Sequence, residues 1–397
     1  MKNIITQTDQ NVFQTYGRYP VVLTRGAGST VWDAQGKQYL DFLAGIAVCN
    51  LGHCHPAVVK AAQAQLETLV HVSNLFYTAP QAELAEMLVR HSFADRVFFC
   101  NSGAEANEAA LKLARKYAYD RTGGKRFEII TMDYSFHGRT FATLTATGQT
   151  KLHKGFAPLV PGFKYVPYND IELLRREVSE LTCAVMVEPI QGEGGVNVPS
   201  PEYLREVREL CDQHDLLLIF DEIQVGMGRT GTLFAYEQFG VEPDIMTLAK
   251  ALSGGLPAGA MLAGESVAES LEQGTHASTF GGNPVAMAAG VEVMRELVER
   301  GVLEHSRTMG ERFFERLTWL QNKYLHLVRD VRGKGLLLGM ELNVSGMPIV
   351  QRCLEQGLII NCTRDTVLRF LPPLIVTAAE IDRCVELLDG ILAEIEL

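Results

Sequence analysis

The chain has 397 residues, of which 47% are hydrophobic, and it carries a formal net charge of −11. At roughly 150 residues per domain, this length predicts two or three domains. The acidic charge argues against nucleic acid or an anionic membrane as partner and favours a small molecule. No apolar run approaches the roughly 18 residues of a membrane span, and the N-terminus lacks the apolar core of a signal peptide. We therefore expect a cytoplasmic protein.

The N-terminal stretch, residues 1–43, has short β-like pieces such as Gly28–Asp33, and we expect it to pack with the C-terminal part of the chain. The adjacent residues His53, Cys54 and His55 could suggest a metal site, but neighbouring side chains rarely reach one ion together. Pro56 follows directly, so the pattern predicts a loop leading into a helix over residues 57–70. With eight cysteines and no C-x-x-C pair, the sequence predicts neither a disulfide framework nor a metal.

Short apolar runs alternate with amphipathic helical patterns through residues 44–284. The candidate strands are Val97–Cys100, Phe127–Thr131, Cys183–Val187, Leu216–Phe220, Ile245–Leu248 and Gly259–Ala263. Runs without polar alternation are typical of strands covered on both faces. Strand–helix alternation then predicts an α/β fold with a mostly parallel central sheet, in which ligands bind beyond the carboxyl ends of the strands.

The glycine-rich segment 274–284 ends this alternation, and a long helix is expected over residues 285–299. The tail that follows has the pattern of a second, smaller α/β unit. We therefore divide the chain into an N-terminal segment (1–43), a large ligand-binding domain (44–284), and a linking helix with a small C-terminal domain (285–397).

Two loops after predicted strands carry candidate binding residues. The segment Asn101–Ala104 joins a strand to a helix whose first-turn amides favour an anion such as phosphate, although Ser102 is equally suited to capping that helix. In SFHGRT, which follows FEIIT, Phe136 and Arg139 suit a stacked flat ring and a carboxylate, respectively. Core packing and a surface ion pair are the structural alternatives for these two side chains.

Asp221 follows the apolar run LLLIF, and a carboxylate at the exit of a buried strand requires a cation or hydrogen bonds. A pyridinium ring nitrogen is one such cation, and a helix cap or a salt bridge is the alternative. Lys250 follows IMTLA, where desolvation favours the neutral amine of a Schiff-base nucleophile. Neighbouring parallel strands would bring this anion and this amine to one edge of the sheet.

The segment Gly226–Gly231, GMGRTG, matches the dinucleotide-binding fingerprint G-x-G-x-x-G. The segment that follows is short and aromatic where a helix is required. No acidic residue ends a second strand about 20 positions further on. We therefore reject the motif, and a nicotinamide-dependent dehydrogenase, which rests on it alone, is kept only as a remote alternative.

In order along the chain, these features resemble those of class III, fold-type I pyridoxal-phosphate (PLP) aminotransferases, and most of all the acetylornithine aminotransferase group. The resemblance covers almost the whole chain, through the motifs YGRYP, YLDFLAGIAVCNLGHCHP, NSGAEANEAALKLARKY, SFHGRT, EPIQGEGGV, FDEIQVGMGRTG, PDIMTLAKALSGG, STFGGNP and VLRFLPPL. A non-catalytic relative would be expected to lack Lys250 or Asp221, and both are present.

The resemblance implies a PLP site formed by Gly103, Ala104, Phe136, Asp221, Glu222, Ile223, Gln224, Lys250 and Thr279. In it, Lys250 holds the cofactor as a Schiff base and later moves the proton, and Asp221 binds the ring nitrogen. Phe136 stacks on the ring, and Gln224 lies near its hydroxyl. The amides of the turn at residues 103–104 take the phosphate. Thr279 reaches that phosphate from the other subunit of a homodimer.

The same resemblance implies a substrate site formed by Arg139, Ser278, Glu193 and Arg369. Arg139 binds a substrate carboxylate. Glu193 and Arg369 form a switch, paired with the amino donor and apart when Arg369 binds glutamate or 2-oxoglutarate. The implied reaction moves the terminal amine of N2-acetyl-L-ornithine to 2-oxoglutarate in arginine biosynthesis. Ornithine, succinylornithine and succinyldiaminopimelate are the alternative donors.

Overall fold

A computed structural model describes residues 2–395 of the chain. Its centre is a seven-stranded sheet in the order β4-β10-β9-β8-β7-β5-β6. These strands are β4 (Arg96–Cys100), β5 (Glu128–Met132), β6 (Phe163–Val166), β7 (Thr182–Val187), β8 (Leu217–Asp221), β9 (Ile245–Leu248) and β10 (Gly259–Ala263). All are parallel except β10, which runs antiparallel to its neighbours β4 and β9.

The central strands are apolar throughout because both of their faces are buried. In β8, Leu217 and Ile219 face one hydrophobic cluster, together with the helix of residues 103–122. Leu218 and Phe220 face the other, larger cluster, which continues into the C-terminal part of the chain. Side chains alternate across a strand, so a run such as LLLIF supplies both clusters at once.

Two four-stranded sheets lie outside this centre, in the orders β1-β2-β3-β13 and β11-β12-β15-β14. Their strands are β1 (Leu23–Ala27), β2 (Thr30–Asp33), β3 (Gln38–Asp41), β11 (Val328–Lys334), β12 (Leu337–Leu342), β13 (Leu358–Ile359), β14 (Asn361–Thr363) and β15 (Val367–Phe370). β3 pairs in parallel with β13, which places Leu40 opposite Leu358. The N-terminal strands therefore pair with a strand of the C-terminal part of the chain. The domain boundaries at residues 43 and 284 stay a prediction.

The helices are α1 (Lys2–Asn11), α2 (Ala44–Ala47), α3 (Pro56–Thr68), α4 (Ala79–Arg90), α5 (Gly103–Thr122), α6 (Phe141–Ala146), α7 (Thr150–His153), α8 (Ile171–Glu177), α9 (Tyr203–His214), α10 (Tyr236–Phe239), α11 (Glu265–Ala268), α12 (Pro284–Glu299), α13 (Val302–Lys323), α14 (Met347–Glu355) and α15 (Ala378–Leu392), with a 3₁₀ turn at Lys250–Ser253. α12 packs against α3 and α4. No helix among residues 2–395 is long and apolar enough to cross a bilayer.

The six predicted strands and the long helix over residues 285–299 are confirmed within one or two residues. β6 was missed because its four residues, FKYV, include a lysine and a tyrosine. The GMGRTG segment forms a loop followed by the four-residue α10, which is too short for the dinucleotide motif. His53 Nε2 donates to Asp41 Oδ2 at 2.7 Å, and this bond raises the pKa of His53 to about 10. No group of side chains within the described range could hold a metal ion.

Candidate active site

The carboxyl edge of the central sheet opens into a cavity of about 410 Å³. β8 and β9 are neighbours with Asp221 opposite Thr247, so Asp221 and Lys250 reach this cavity from adjacent strands. The residues that line it include Val48, Asn101, Ser102, Gly103, Ala104, Phe136, His137, Gly138, Arg139, Glu188, Glu193, Asp221, Ile223, Gln224, Ala249, Lys250 and Pro257. Nine of the residues expected from the sequence are in this set.

The Asp221 carboxylate is only 4% exposed and is held at both oxygens. Oδ2 accepts hydrogen bonds from Asn107 Nδ2 and from His137 Nδ1, each at 2.8 Å, and Oδ1 accepts from the Ile223 amide at 3.1 Å. Thr247 donates to the Asn107 side chain at 2.7 Å and so orients it. The sequence reasoning missed Asn107, whose only signal is a polar residue on the apolar face of α5. His137 belonged to a noted motif but had received no role.

Lys250 begins the 3₁₀ turn after β9 with a left-handed φ of 42°, a conformation that costs a non-glycine residue about 1 kcal/mol or more. Burial lowers the pKa of Lys250, and the charges of Glu193 and Asp221 oppose that effect. The net lowering increases the fraction of neutral amine, as a nucleophile requires. A strained, desolvated lysine facing a cavity is therefore placed for covalent chemistry.

The turn between β4 and α5 presents the start of a 20-residue helix to the cavity. Ser102 caps it by accepting from the Glu105 amide at 3.2 Å, and first-turn amides such as those of Gly103 and Ala104 have no intrahelical acceptor. A Cβ at Gly103 would lie 2.8 Å from the Ile223 side chain, which explains the glycine. The cap and the anion site predicted from the sequence thus occupy the same turn without competing.

Phe136 and Arg139 lie together on the next loop, with the guanidinium carbon 5.5 Å from the ring centroid. The Phe136 amide donates to Glu188 Oε2 at 3.1 Å, which fixes this loop to the residue that follows β7. Burial and the charge of Asp221 raise the pKa of Glu188 well above its usual range. Glu188 was missed by the sequence reasoning, although it ends the apolar run CAVMV just as Asp221 ends LLLIF.

Glu193, which lines the cavity, pairs with the buried Arg369. Arg369 Nη1 donates to Glu193 Oε1 at 2.7 Å and to Gln224 Oε1 at 3.1 Å, while its Nε donates to Asn361 Oδ1 at 3.2 Å. The Arg369 side chain is 1% exposed and that of Glu193 is 32% exposed. Burial raises the pKa of Glu193, but the Arg369 charge and hydrogen bond outweigh it, and the net pKa is lowered.

Four residues expected in the site do not line the cavity of their own chain, and one of them is Arg369, which is buried against Glu193. Glu222 is turned away, and its carboxylate accepts from the Ala235 and Tyr236 amides at 2.6 and 2.7 Å because these donors lie behind the strand end. Ser278 accepts from Asn101 Nδ2 at 3.1 Å, at the rim. Thr279 is exposed on the loop that follows.

The chain belongs to the class-III aminotransferase family, whose model matches residues 12–392. Class-III aminotransferases are PLP-dependent transaminases, so the chain is an enzyme of that kind. It is 55% identical over 393 residues to the acetylornithine aminotransferase of Caldanaerobacter subterraneus subsp. tengcongensis, covering 99% of this chain and 100% of that protein.

Two solved structures of aminotransferases are similar to this chain over almost its whole length. The N-acetylornithine aminotransferase of Stenotrophomonas maltophilia K279a has a TM-score of 0.85 and 41% identity, with 98% of each chain covered. The ornithine aminotransferase of Toxoplasma gondii ME49 has a TM-score of 0.95 and 36% identity, covering 99% of this chain and 94% of that one.

The residues at the cavity fit PLP. A ring with a cationic nitrogen needs an anion at one end, and Asp221 is a buried carboxylate held by three donors. A phosphate needs amides at the other end, which the first turn of α5 offers. An amine is needed between them, and Lys250 supplies it from the turn that follows β9, the strand next to that of Asp221.

Proposed function

We propose that the enzyme transfers the terminal amine of N2-acetyl-L-ornithine to 2-oxoglutarate, giving N-acetyl-L-glutamate 5-semialdehyde and L-glutamate, as a cytoplasmic step of arginine biosynthesis. The Glu193–Arg369 pair at the cavity carries this proposal. It suits acetylornithine, which brings a methylene to this place, and also glutamate, which brings a carboxylate. Identity to curated acetylornithine aminotransferases over the full chain supports it.

A donor screen with 2-oxoglutarate tests the substrate. Acetylornithine, succinylornithine, ornithine, succinyldiaminopimelate and 4-aminobutyrate are compared by kcat/KM for glutamate formation. We expect acetylornithine to have the highest value. A preference for free ornithine, the substrate named for the Toxoplasma gondii relative, would overturn the assignment of the donor while leaving the reaction class intact.

When bound, PLP supplies the electron sink for the bond that breaks at the amine-bearing carbon. We propose that Asp221 holds the ring nitrogen, that Phe136 stacks on the ring, and that the first turn of α5 binds the phosphate. Ile223 and Gln224 follow Asp221 on the same wall of the cavity, which suits contact with the ring and its hydroxyl. Lys250 Nζ would hold the cofactor and would carry the proton at the reacting carbon. Glu222 supports this wall through the chain at residues 235–236.

Substrate binding is assigned to Arg139, Arg369 and Glu193, with Ser278 at the rim. With acetylornithine bound, Glu193 neutralises Arg369, since an unpaired guanidinium facing a methylene is costly in a buried site. With glutamate or 2-oxoglutarate bound, the carboxylate of the substrate replaces that of Glu193. Arg369 keeps Gln224 and Asn361 as neutral acceptors in both states, so it stays oriented when its charged partner leaves.

Glu193→Ala separates this switch from a fixed salt bridge. Arg369 would then be free at all times, so the glutamate half-reaction should persist or accelerate while the acetylornithine half-reaction slows. Reaction at the α-amine of free ornithine should rise. Single-turnover absorbance changes measure each half-reaction. Equal losses in both, with a lowered melting temperature, would show that the pair is only structural.

We also propose a homodimer with shared active sites, in which Thr279 reaches the PLP phosphate bound by the neighbouring subunit. Asn74 Nδ2 donates to the carbonyls of Ser278 and Gly281 at 3.2 and 2.8 Å, so the loops around residues 74 and 279 form one surface. Large apolar side chains are exposed on it, at 85% for Leu75, 66% for Phe76, 106% for Tyr77 and 61% for Phe280. A second copy of the chain would cover them.

Sedimentation with and without PLP tests this assembly. If each phosphate site is completed by the other subunit, PLP should stabilise the dimer by mass action. Thr279→Val should weaken PLP binding without dissociating the dimer. A fully active monomer would overturn the shared site.

A further inference from the structure

The turn that carries Glu193 is closed on itself. Gln191 and Asn197 exchange backbone hydrogen bonds at 3.1 and 3.0 Å, and the Asn197 side chain donates to Gln191 Oε1 at 2.9 Å and to the Gly194 carbonyl at 3.1 Å. Gln191 in turn donates to the Asp133 carbonyl at 2.9 Å. The backbone between residues 191 and 197 is therefore a defined loop whose base is fixed to the central sheet.

The C-terminal sheet holds the tip of the same turn. Arg332, on β11, donates through Nη2 to the Gly195 carbonyl at 2.7 Å and through Nε to the Val196 carbonyl at 3.1 Å. Thr363, on β14, donates its hydroxyl to the Glu193 carbonyl. These bonds are made to main-chain oxygens, so they fix the path of the backbone without holding the Glu193 side chain.

Arg332 is itself firmly oriented. Its Nη1 pairs with Glu341 at 2.6 Å and with Asp330 at 2.9 Å, on the side of the guanidinium away from the turn. The side chain is 20% exposed, so solvent screens these contacts only partly. A planar guanidinium with acids on one edge and carbonyls on the other acts as a rigid connector between the sheet and the turn.

We infer that Arg332 and Thr363 are positioning residues for donor selection: they hold the backbone of the Glu193 turn still, so that Glu193 leaves Arg369 by rotation of its side chain alone. This inference rests on the proposed switch. Arg369, Thr363 and Arg332 lie on strands of one sheet. The same sheet therefore holds both Arg369 and the backbone of the turn that carries its partner, Glu193. The carboxylate returns to Arg369 after each acceptor leaves, without any reordering of the loop.

Arg332→Gln tests the inference, because it removes the fork that reaches the carbonyls of the turn. Arg329→Gln is the matched control: Arg329 pairs with the same Glu341 at 3.0 Å but is 69% exposed and does not contact the turn. We expect Arg332→Gln to slow the acetylornithine half-reaction about tenfold, as for one lost charge-assisted hydrogen bond, while the glutamate half-reaction changes about twofold or less. Arg329→Gln should leave both rates unchanged.

Thr363→Val provides a second variant should Arg332→Gln fold poorly, with Thr363→Ser as the conservative rescue. Loss of the donor half-reaction in the valine variant and its recovery in the serine variant would support the inference. Equal slowing of both half-reactions, or no change in either, in folded variants would overturn it. Glu193→Ala is measured in parallel. If that variant shows no asymmetry, the proposed switch itself is wrong; if it does and the positioning variants do not, only this inference fails.

Discussion

Asp221 and Glu193 are both carboxylates at the same cavity, and they are held very differently. Asp221 is 4% exposed, and its oxygens accept from Asn107 on α5 and from His137 and Ile223 in the loops that follow β5 and β8. Glu193 has a side chain that is 32% exposed, and one of its oxygens meets Arg369, which belongs to a different sheet. Asp221, with both oxygens held by buried donors, stays in place. Glu193 has one charged partner, Arg369, and a longer contact with Gln224 Nε2 at 3.5 Å, so it can leave.

The difference follows from where the residues lie in the fold. Asp221 ends a central strand, so its position is fixed by the pairing of β8 with β7 and β9. Glu193 lies on a turn between sheets, where only its backbone is fixed. The cavity thus has two kinds of wall. The immobile wall, around Asp221 and Lys250, suits a cofactor that remains bound. The movable wall, at the Glu193 side chain, suits two substrates that bind in turn.

The largest effect is expected on the immobile wall, from Lys250→Ala. Turnover should fall by about 10⁴-fold or more, because the nucleophile and the proton carrier are lost together. PLP should still bind through Asp221 and the first turn of α5, and borohydride should no longer fix it covalently. Peptide mapping of the reduced wild-type enzyme should place the label in the segment LAKAL. A label on another lysine would contradict the assignment.

A smaller effect on the same wall is expected from Asn107→Ala. It removes one donor to Asp221, and a buried anion left with an unfilled acceptor costs about 1–3 kcal/mol. The affinity for PLP should therefore fall about tenfold or more, measured by titration of the apoenzyme followed by absorbance. Asn343→Ala is a control, because Asn343 donates only to the exposed His326 carbonyl at 2.9 Å. Unchanged affinity in Asn107→Ala would show that the carboxylate needs no such support.

The smallest effect concerns the movable wall and its response to pH. The folded pKa of Glu193 is lowered, so its pairing contributes stability above the ordinary pKa of a glutamate and loses it as the pH falls through the lowered value. Because Glu193 is partly exposed, the contribution should be about 1 kcal/mol or less. Denaturant unfolding from pH 6 to pH 3 should show a shallower decline for Glu193→Gln than for the wild type. Glu304→Gln, at an exposed pair, should follow the wild type.

The sequence was sufficient where chemistry coincides with the end of a strand. Asp221 and Lys250 could be placed at one edge because parallel neighbours share a carboxyl end. Asn107 could not be found in this way, since its role depends on α5 crossing beneath β8 and β9. Glu222 was assigned to the site by the resemblance, yet its carboxylate turns away from the cavity and accepts from the Ala235 and Tyr236 amides. Glu188 ended an apolar run in the same way as Asp221 and was still overlooked.

The rejected glycine motif contains Arg229, a fully buried guanidinium whose pKa burial lowers to about 9. It donates to the carbonyls of Leu336, at 3.0 Å, and Pro372, and to the side chain of Asn50. These three acceptors come from segments far apart along the chain. Cutting the protein near residue 284 would remove two of these three acceptors, the carbonyls of Leu336 and Pro372. We therefore expect separately expressed halves to fold poorly and the intact chain to melt in one calorimetric transition.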